Sequence, residues 1–295
     1  MRGYRPPGNG CPSVTQGRLW VIGAPGRTHA SICPRSFDLP VYLKQFTKFA
    51  NAGDAASNYL VGRLLGADIV LSDEAPLDRT NLIAVGSILQ WADRHSIIWG
   101  SGLLSAEVRV REKPDTVLAV RGHLTRQRLR TMGIPCPETV GDPGILISDC
   151  VAPTRKVPGR IGIVPHYRDL AHPFVAAAQD QGAVLINPMV SLESYLAAVA
   201  SCETIVSSSL HGIVFAHSFG IRAAWAKLSP NVLGDGFKFR DYYSSIGFAD
   251  TEIPNLTGED AFARIVDQAS LPRSEIDRVA LRGALSTVAD RLGAE

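Results

Sequence analysis

A chain of 295 residues, 45% hydrophobic and 20% charged, is long enough for one large or two ordinary domains with real cores, and its overall composition is that of a soluble globular protein rather than a disordered one. Thirty Lys and Arg stand against 28 Asp and Glu, a formal net charge of +2, which offers no general polyanion-binding surface and argues against nucleic acid as the main partner. No apolar run reaches the roughly 18 residues that a membrane-spanning helix needs, so none is expected.

Residues 1–38 are rich in Gly, Pro and Arg. Arg2 and Arg5 run into Pro6-Pro7-Gly8-Asn9-Gly10 with no apolar core, so a signal peptide is not expected and the segment reads as a loosely ordered extension. Cys11, Cys33, Cys136, Cys150 and Cys202 form neither a CxxC pair nor a metal-like cluster, which suits reduced thiols in a cytoplasm. The first ordered strand is expected at Val41–Phe46, followed by the turn Asn51-Ala52-Gly53-Asp54 and a helix over Ala55–Leu65 with Asp54 as its N-cap.

Short apolar runs at Ala67–Leu71, Leu82–Gly86 and Ser96–Gly100 end in small residues and read as buried parallel strands. Gly100-Ser101-Gly102-Leu103-Leu104-Ser105 lacks the third glycine of a dinucleotide fingerprint and reads instead as a turn that admits substrate or backbone closely. The strand Thr116–Val120 delivers Arg121 at its C-terminal end, ahead of a helix with Leu124, Leu129 and Met132 that Gly133 closes. An open α/β sheet puts its ligand contacts there, and a guanidinium can grip a carboxylate or phosphate bidentately; a structural ion pair is the competing reading.

Gly141-Asp142-Pro143-Gly144 is a turn, and Thr154–Arg160 reads as a linker. The alternation then restarts with the strand Ile161–Pro165 and the polar residues His166-Tyr167-Arg168-Asp169. Helix Phe174–Gln181, strand Ala183–Ile186 and helix Leu192–Ala200 follow. Thr204-Ile205-Val206, three serines and Leu210-His211-Gly212 before helically spaced Ile213, Val214, Phe215 and Phe219 read as strand, polar turn and helix. The open N–H groups of that helix start can hold an anion, and His211 adds an imidazole; alternatively the serines only cap the helix and His211 packs in the turn. A strand at Ile221–Ala226, a loop or short helix at Lys238–Tyr243 and an amphipathic helix over Ser274–Leu292 complete the chain.

Asn51-Ala52-Gly53-Asp54, then Val120–Arg126 with Gly141-Asp142-Pro143, then Ser209-Leu210-His211-Gly212, and finally Phe237–Tyr242 with Ser245-Ile246-Gly247 occur in this order. Together, from about Tyr42 to Gly247, they resemble the polysaccharide pyruvyl transferase family. Periodicity itself supports α/β. The resemblance implies two Rossmann-like domains, here 39–155 and 156–295, with mainly parallel sheets facing a cleft in the GT-B manner.

It also implies transfer of a pyruvyl group from phosphoenolpyruvate to two hydroxyls of a sugar, forming a cyclic ketal and releasing phosphate. No cofactor or metal is needed beyond that donor. On this reading His211 is catalytic, and Arg121, Ser209, Leu210, His211 and Gly212 bind the donor. Asn51, Asp54, Ser101, His166, Lys238 and Tyr242 are cleft or acceptor candidates, and His217 on the helix is structural. Many members of the family that the chain resembles carry Arg just before Leu-His-Gly, where this chain has Ser209, a lost charge that Arg168, Lys238 or Arg240 would have to replace. The acceptor is a saccharide of a surface or exported glycan. If it is lipid-linked, it would draw a cytoplasmic protein to the inner membrane face. The competing functions are a nucleotide-sugar glycosyltransferase in the same kind of cleft and a non-catalytic sugar- or anion-binding protein; oligomeric state is not readable.

Overall fold

The computed structural model describes residues 40–49, 51–248, 252, 254 and 256–292; the expected N-terminal extension with Cys11 and Cys33 lies outside them. The elements run β1 (Val41–Lys44), α1 (Ala52–Leu65), β2 (Ile69–Ser72), β3 (Asn81–Ile83), β4 (Ser96–Trp99), β5 (Thr116–Ala119) and α2 (His123–Thr131). After a 3-10 helix at Pro143–Asp149 come β6 (Ile161–Val164), α3 (Pro173–Asp180), β7 (Val184–Leu185), α4 (Leu192–Ala200), β8 (Thr204–Ser207), α5 (Leu210–Ser218) and β9 (Arg222–Trp225). The helices α6 (Phe237–Ser245), α7 (Ala261–Asp267) and α8 (Arg278–Leu292) finish the chain.

Two sheets result, a five-stranded one in the order β2-β1-β3-β4-β5 and a four-stranded one in the order β7-β6-β8-β9. Among the described residues the strands of both sheets pair in parallel, with Leu43 opposite Leu71 and Leu82 and Ile163 opposite Leu185 and Val206, and Ala223 of β9 adds an isolated antiparallel bridge to Ser270. Parallel strands need crossover helices on both faces, which explains why β3, β4 and β8 are buried along their whole lengths and read as continuous apolar runs. In each sheet the strand order reverses beside the first strand of its half, between β1 and β3 and between β6 and β8. Ligands of open α/β sheets bind outside the strand ends at such switch points.

The described residues belong to one compact unit, and a single apolar cluster takes in Leu43 and Trp99 of the first sheet with Val164 and Ile205 of the second. The seam between the sheets is the packing of α5 on the 3-10 helix. Gly144 lies against Val214 and Phe215, the Ser148 N–H donates to Ser218 Oγ at 3.0 Å, and Ser218 Oγ donates to the Ile145 carbonyl at 2.7 Å. The Asp142 carboxylate caps this 3-10 helix by accepting from the Gly144 N–H, where the sequence suggests only a turn. The last helix, whose destination its amphipathic spacing cannot reveal, returns to the first sheet: α8 packs on β4, β5 and α1, and the Trp99 indole donates to the Leu281 carbonyl at 2.8 Å.

One local expectation needs correction. Asn51, not Asp54, is the N-cap of α1: its Oδ1 accepts from the Asp54 N–H at 3.0 Å, and the helix opens three residues earlier than expected. The backbone after Asn51 is already helical because Gly53 is accepted at the second position, so the cap moves to the preceding extended residue. Of the loop or short helix expected at Lys238–Tyr243 the structure shows the short helix, Phe237–Ser245, buried at Phe237, Phe239, Asp241, Tyr242, Tyr243 and Ser245.

Candidate active site

The loops that leave the two switch points face a common cavity of about 280 Å³. From the first sheet it receives Phe46 after β1, Asn51, Gly53 and Asp54 at the start of α1, and Ser87, Ile88, Gln90 and Trp91 after β3. From the second it receives His166, Tyr167 and Arg168 after β6, and Ser209, Leu210 and His211 after β8; Lys238 of α6 completes the wall. Asn51, Asp54, His166, Ser209, Leu210, His211 and Lys238 are thus brought together, as separate stretches of the sequence suggest.

The turn after β8 is built to present the start of α5. Ser207 is fully buried, its Oγ bonds the Val164 and Ser209 carbonyls, and the Ser209 N–H donates back to it at 3.0 Å. Ser208 is tied down by Asp169, donating to Oδ2 at 2.7 Å, and in turn accepts the His166 N–H at 2.8 Å. Ser209 occupies the N-cap position with extended backbone, yet its side chain caps nothing. The first N–H groups of α5 therefore keep the positive end of the helix dipole turned to the cavity. Gly212 does not line the cavity; a Cβ there would strike Ser207 and come within 2.8 Å of Val164 Cγ1, so glycine lets α5 lie close on β6 and β8.

His211 is half-buried, stacked on Phe215 at 5.7 Å with its ring edge against Gly53, whose missing side chain makes the space. Its Nε2 is enclosed without a hydrogen-bond partner. Burial pushes its pKa down to about 3, helped by the charges of Lys238 and Arg121, so the imidazole is neutral at physiological pH. His166 is pushed down to about 3 by the same causes, burial first and then Lys238 and Arg168. Lys238 falls to about 8 through burial and the Arg121 charge, opposed by Asp54 and Asp169. Asp54 rises to about 6 because it is desolvated, although Asn51 Nδ2 donates to it at 2.6 Å and Lys238 attracts it. The cavity is therefore a place where burial first, and the neighbouring cationic charges second, lower the proton affinity of His211, His166 and Lys238, and an added anion would oppose both.

Arg121 stands behind this wall rather than in it. Its side chain is fully buried, with Nε on Asp241 Oδ2 at 2.9 Å, Nη1 on Ser87 Oγ at 2.6 Å and Nη2 on the Leu103 carbonyl at 2.8 Å. Asp241 also accepts from the Thr125 N–H and hydroxyl. Such a guanidinium reaches the cavity through Ser87, which it orients, and not by direct grip. The glycine turn after β4 has the same explanation: a Cβ on Gly102 would overlap the Arg121 guanidinium, so the turn admits an arginine rather than a substrate. Ser101 is buried and donates to the Gly86 carbonyl at 2.9 Å, away from the cavity.

Tyr242 is likewise a core residue, hydrogen-bonded through its hydroxyl to His217 Nδ1 at 3.0 Å. His217 is structural, its Nε2 within 3.1 Å of the Ser270 carbonyl. Of the basic groups considered as replacements at Ser209, Lys238 and Arg168 line the cavity, whereas Arg240 turns to the Asp235 carbonyl. Ser87, Gln90 and Trp91 escape a reading of the sequence, since only the strand order shows that the loop after β3 lies at a switch point, and so does Asn231, in the loop between β9 and α6.

Among the described residues no helix is long and apolar enough to cross a membrane. The chain is 33% identical over 216 residues to the uncharacterized protein L143 of Acanthamoeba polyphaga mimivirus, covering 70% of this chain and 75% of that one. It is 25% identical over 196 residues to the succinoglycan biosynthesis protein ExoV of Rhizobium meliloti (strain 1021), covering 63% of this chain and 60% of that protein. The model of the polysaccharide pyruvyl transferases matches residues 51–226, from the cap of α1 to the end of the second sheet, and so takes in the starts of α1 and α5 and the loops after β3, β6 and β8, while β1 and Lys238 lie beyond it. With more than half its length matched, the chain belongs to the polysaccharide pyruvyl transferase family.

Proposed function

We propose that the cavity binds phosphoenolpyruvate and transfers its three-carbon acid to a pair of sugar hydroxyls as a cyclic ketal, in the synthesis of a polysaccharide. The observation that carries this reading is the meeting of the uncapped start of α5, the Lys238 ammonium and an unpartnered neutral His211 on one cavity at both switch points. A small, highly charged anion satisfies all three. Its carboxylate and phosphate accept from the helix N–H groups and Lys238 and supply the negative charge that these desolvated, mutually repelling groups lack. The two sheets then work as the two sides of a GT-B-like cleft, with the donor on the α5 side. The name of the succinoglycan relative supports a polysaccharide as the acceptor. A donor of cytoplasmic metabolism places the reaction on the cytoplasmic side, at the inner membrane face if the acceptor is lipid-linked.

In this mechanism His211 enters neutral, and the anion bound in the cavity that His211 lines raises its proton affinity until it takes up a proton. The imidazolium protonates the enol methylene, which leaves the central carbon electrophilic. The first sugar hydroxyl forms its C–O bond there and returns its proton to His211. The second hydroxyl forms the other C–O bond as the phosphate C–O bond breaks, and its proton leaves with the phosphate. A positioned general acid–base group contributes roughly a hundred- to ten-thousand-fold. Lys238 holds the leaving phosphate, and the Ser87 hydroxyl, anchored by Arg121, directs a hydrogen bond into the cavity. The test is phosphate release and a pyruvate ketal by mass spectrometry, with phosphoenolpyruvate and a panel of glycans. His211→Ala should lose at least a hundredfold in rate, and Lys238→Met should raise the donor KM. Wild-type rates in both variants would overturn the assignment.

A further inference from the structure

A second hollow of about 370 Å³ adjoins the cavity and shares Phe46, Asn51 and Asp54 with it as a party wall. Its outer rim is the exposed ring of Phe49, 49% accessible, facing Met189 and Val190, each 44% accessible, on the loop before α4. Large apolar side chains this open, gathered on one rim, need a partner.

The rim is part of a chain of rings that leads into the reaction cavity. Phe49 lies 6.2 Å from Phe46, and Phe46 stacks at 6.5 Å on Trp91, which with Phe46 lines the inner cavity. Thr47, Asn51 and Ser191 also line the hollow, and Gln90 lines the cavity. Aromatic faces that share their walls with polar side chains match a sugar chain, whose rings each carry an apolar C–H face edged with hydroxyls. An alkyl chain would call for an unbroken apolar trough.

We propose that the hollow is a second saccharide subsite, so that the acceptor is bound as a chain: the reacting ring in the cavity against Trp91 and Phe46, its neighbour over Phe46 and Phe49. This rests on the acceptor being a glycan, and continuity through the shared wall fixes the direction in which the chain leaves. Selection then comes from the ring beyond the reacting one, and a single sugar binds poorly.

The test is binding, independent of turnover: the full chain is applied to a mixed array of hexose and N-acetylhexosamine oligosaccharides of one to six rings, and solution affinity is measured for the best chain. Chains of two or more rings should bind at least about tenfold tighter than single rings, and Phe49→Ala and Met189→Ser should each remove most of that gain. Equal binding of single rings and chains would overturn the subsite. So would a length preference that survives both substitutions, or retention only of polyprenyl-linked sugars. Donor binding, followed separately as thermal protection by phosphoenolpyruvate, reports on the transfer reaction, so failure of one reading is told apart from failure of the other.

Discussion

Replacing Asp241 with Asn tests whether the Arg121–Asp241 pair is the clamp that joins α6 to the first sheet. Both side chains are fully buried, and the carboxylate accepts from Arg121 Nε at 2.9 Å, the Thr125 N–H at 2.8 Å and the Thr125 hydroxyl at 2.7 Å. Asparagine keeps the shape and one oxygen, which can still accept from the Thr125 N–H. Its amide nitrogen, however, then meets Arg121 Nε donor to donor, and the guanidinium is left charged without a counterion. Breaking a buried pair from one side costs about 3–5 kcal/mol. For a chain of this size that is a fall in melting temperature on the order of 10 °C. The assay is urea unfolding, in which the midpoint should drop with an unchanged slope. Combined with Arg121→Met in a double-mutant cycle, the pair should show a coupling of at least about 2 kcal/mol, because removing both charges spares the uncompensated one. A loss below about 1 kcal/mol for Asp241→Asn, or additive singles, would refute the clamp and reopen Arg121 as a direct anion ligand.

Gly53→Ala should abolish transfer while the protein still folds, since the new Cβ would fall on the His211 ring, 2.9 Å from Cγ, and drive it from its seat; ring displacement is checked by the His211 resonances and by loss of turnover. His217 is pushed down to about 4 by burial, so between that value and the usual 6.5 the unfolded chain binds the extra proton; stability is complete above pH 6.5 and falls toward pH 4. His217→Gln should therefore lower the slope of stability against pH in that window by up to one proton, about 1.4 kcal/mol per pH unit, read from urea midpoints at each pH. Asp54 and Asp142, both raised to about 6 by burial, act oppositely over part of the same range and are unchanged in this comparison. Ser209→Arg should tighten phosphoenolpyruvate binding by about tenfold in calorimetry, because the side chain at this N-cap makes no capping bond and lines the cavity; unchanged affinity would place the donor elsewhere.

The alternation of short apolar runs with helical spacing was enough to establish an α/β chain, because parallel strands buried on both faces are written as continuous Val, Ile, Leu and Ala stretches such as Ser96–Trp99 and Thr204–Ser207. The same local logic located the anion-ready start of α5, since a helix terminus and its polar turn are set by neighbours in the chain. Asp54, Lys238 and His166 could be named as candidates for the same reason, each standing beside a strand or helix end.

What local pattern could not supply is which polar groups meet. An arginine at a strand's end reads alike whether it grips a ligand or an aspartate 120 positions away, and only the docking of α6 on α2 decided that Arg121 belongs to Asp241. Tyr242, on the same helix as Lys238, went to the core while Lys238 faced the cavity, a choice made by the roll of α6 against its neighbours. The lowered proton affinity of His211, which leaves its imidazole neutral, is likewise tertiary. Its causes are the Gly53 backbone, Lys238 and Arg121, brought to one ring from three remote parts of the chain. Burial and charge proximity are properties of the assembled fold, so side-chain chemistry was legible residue by residue, and its protonation only once the sheets had closed on each other.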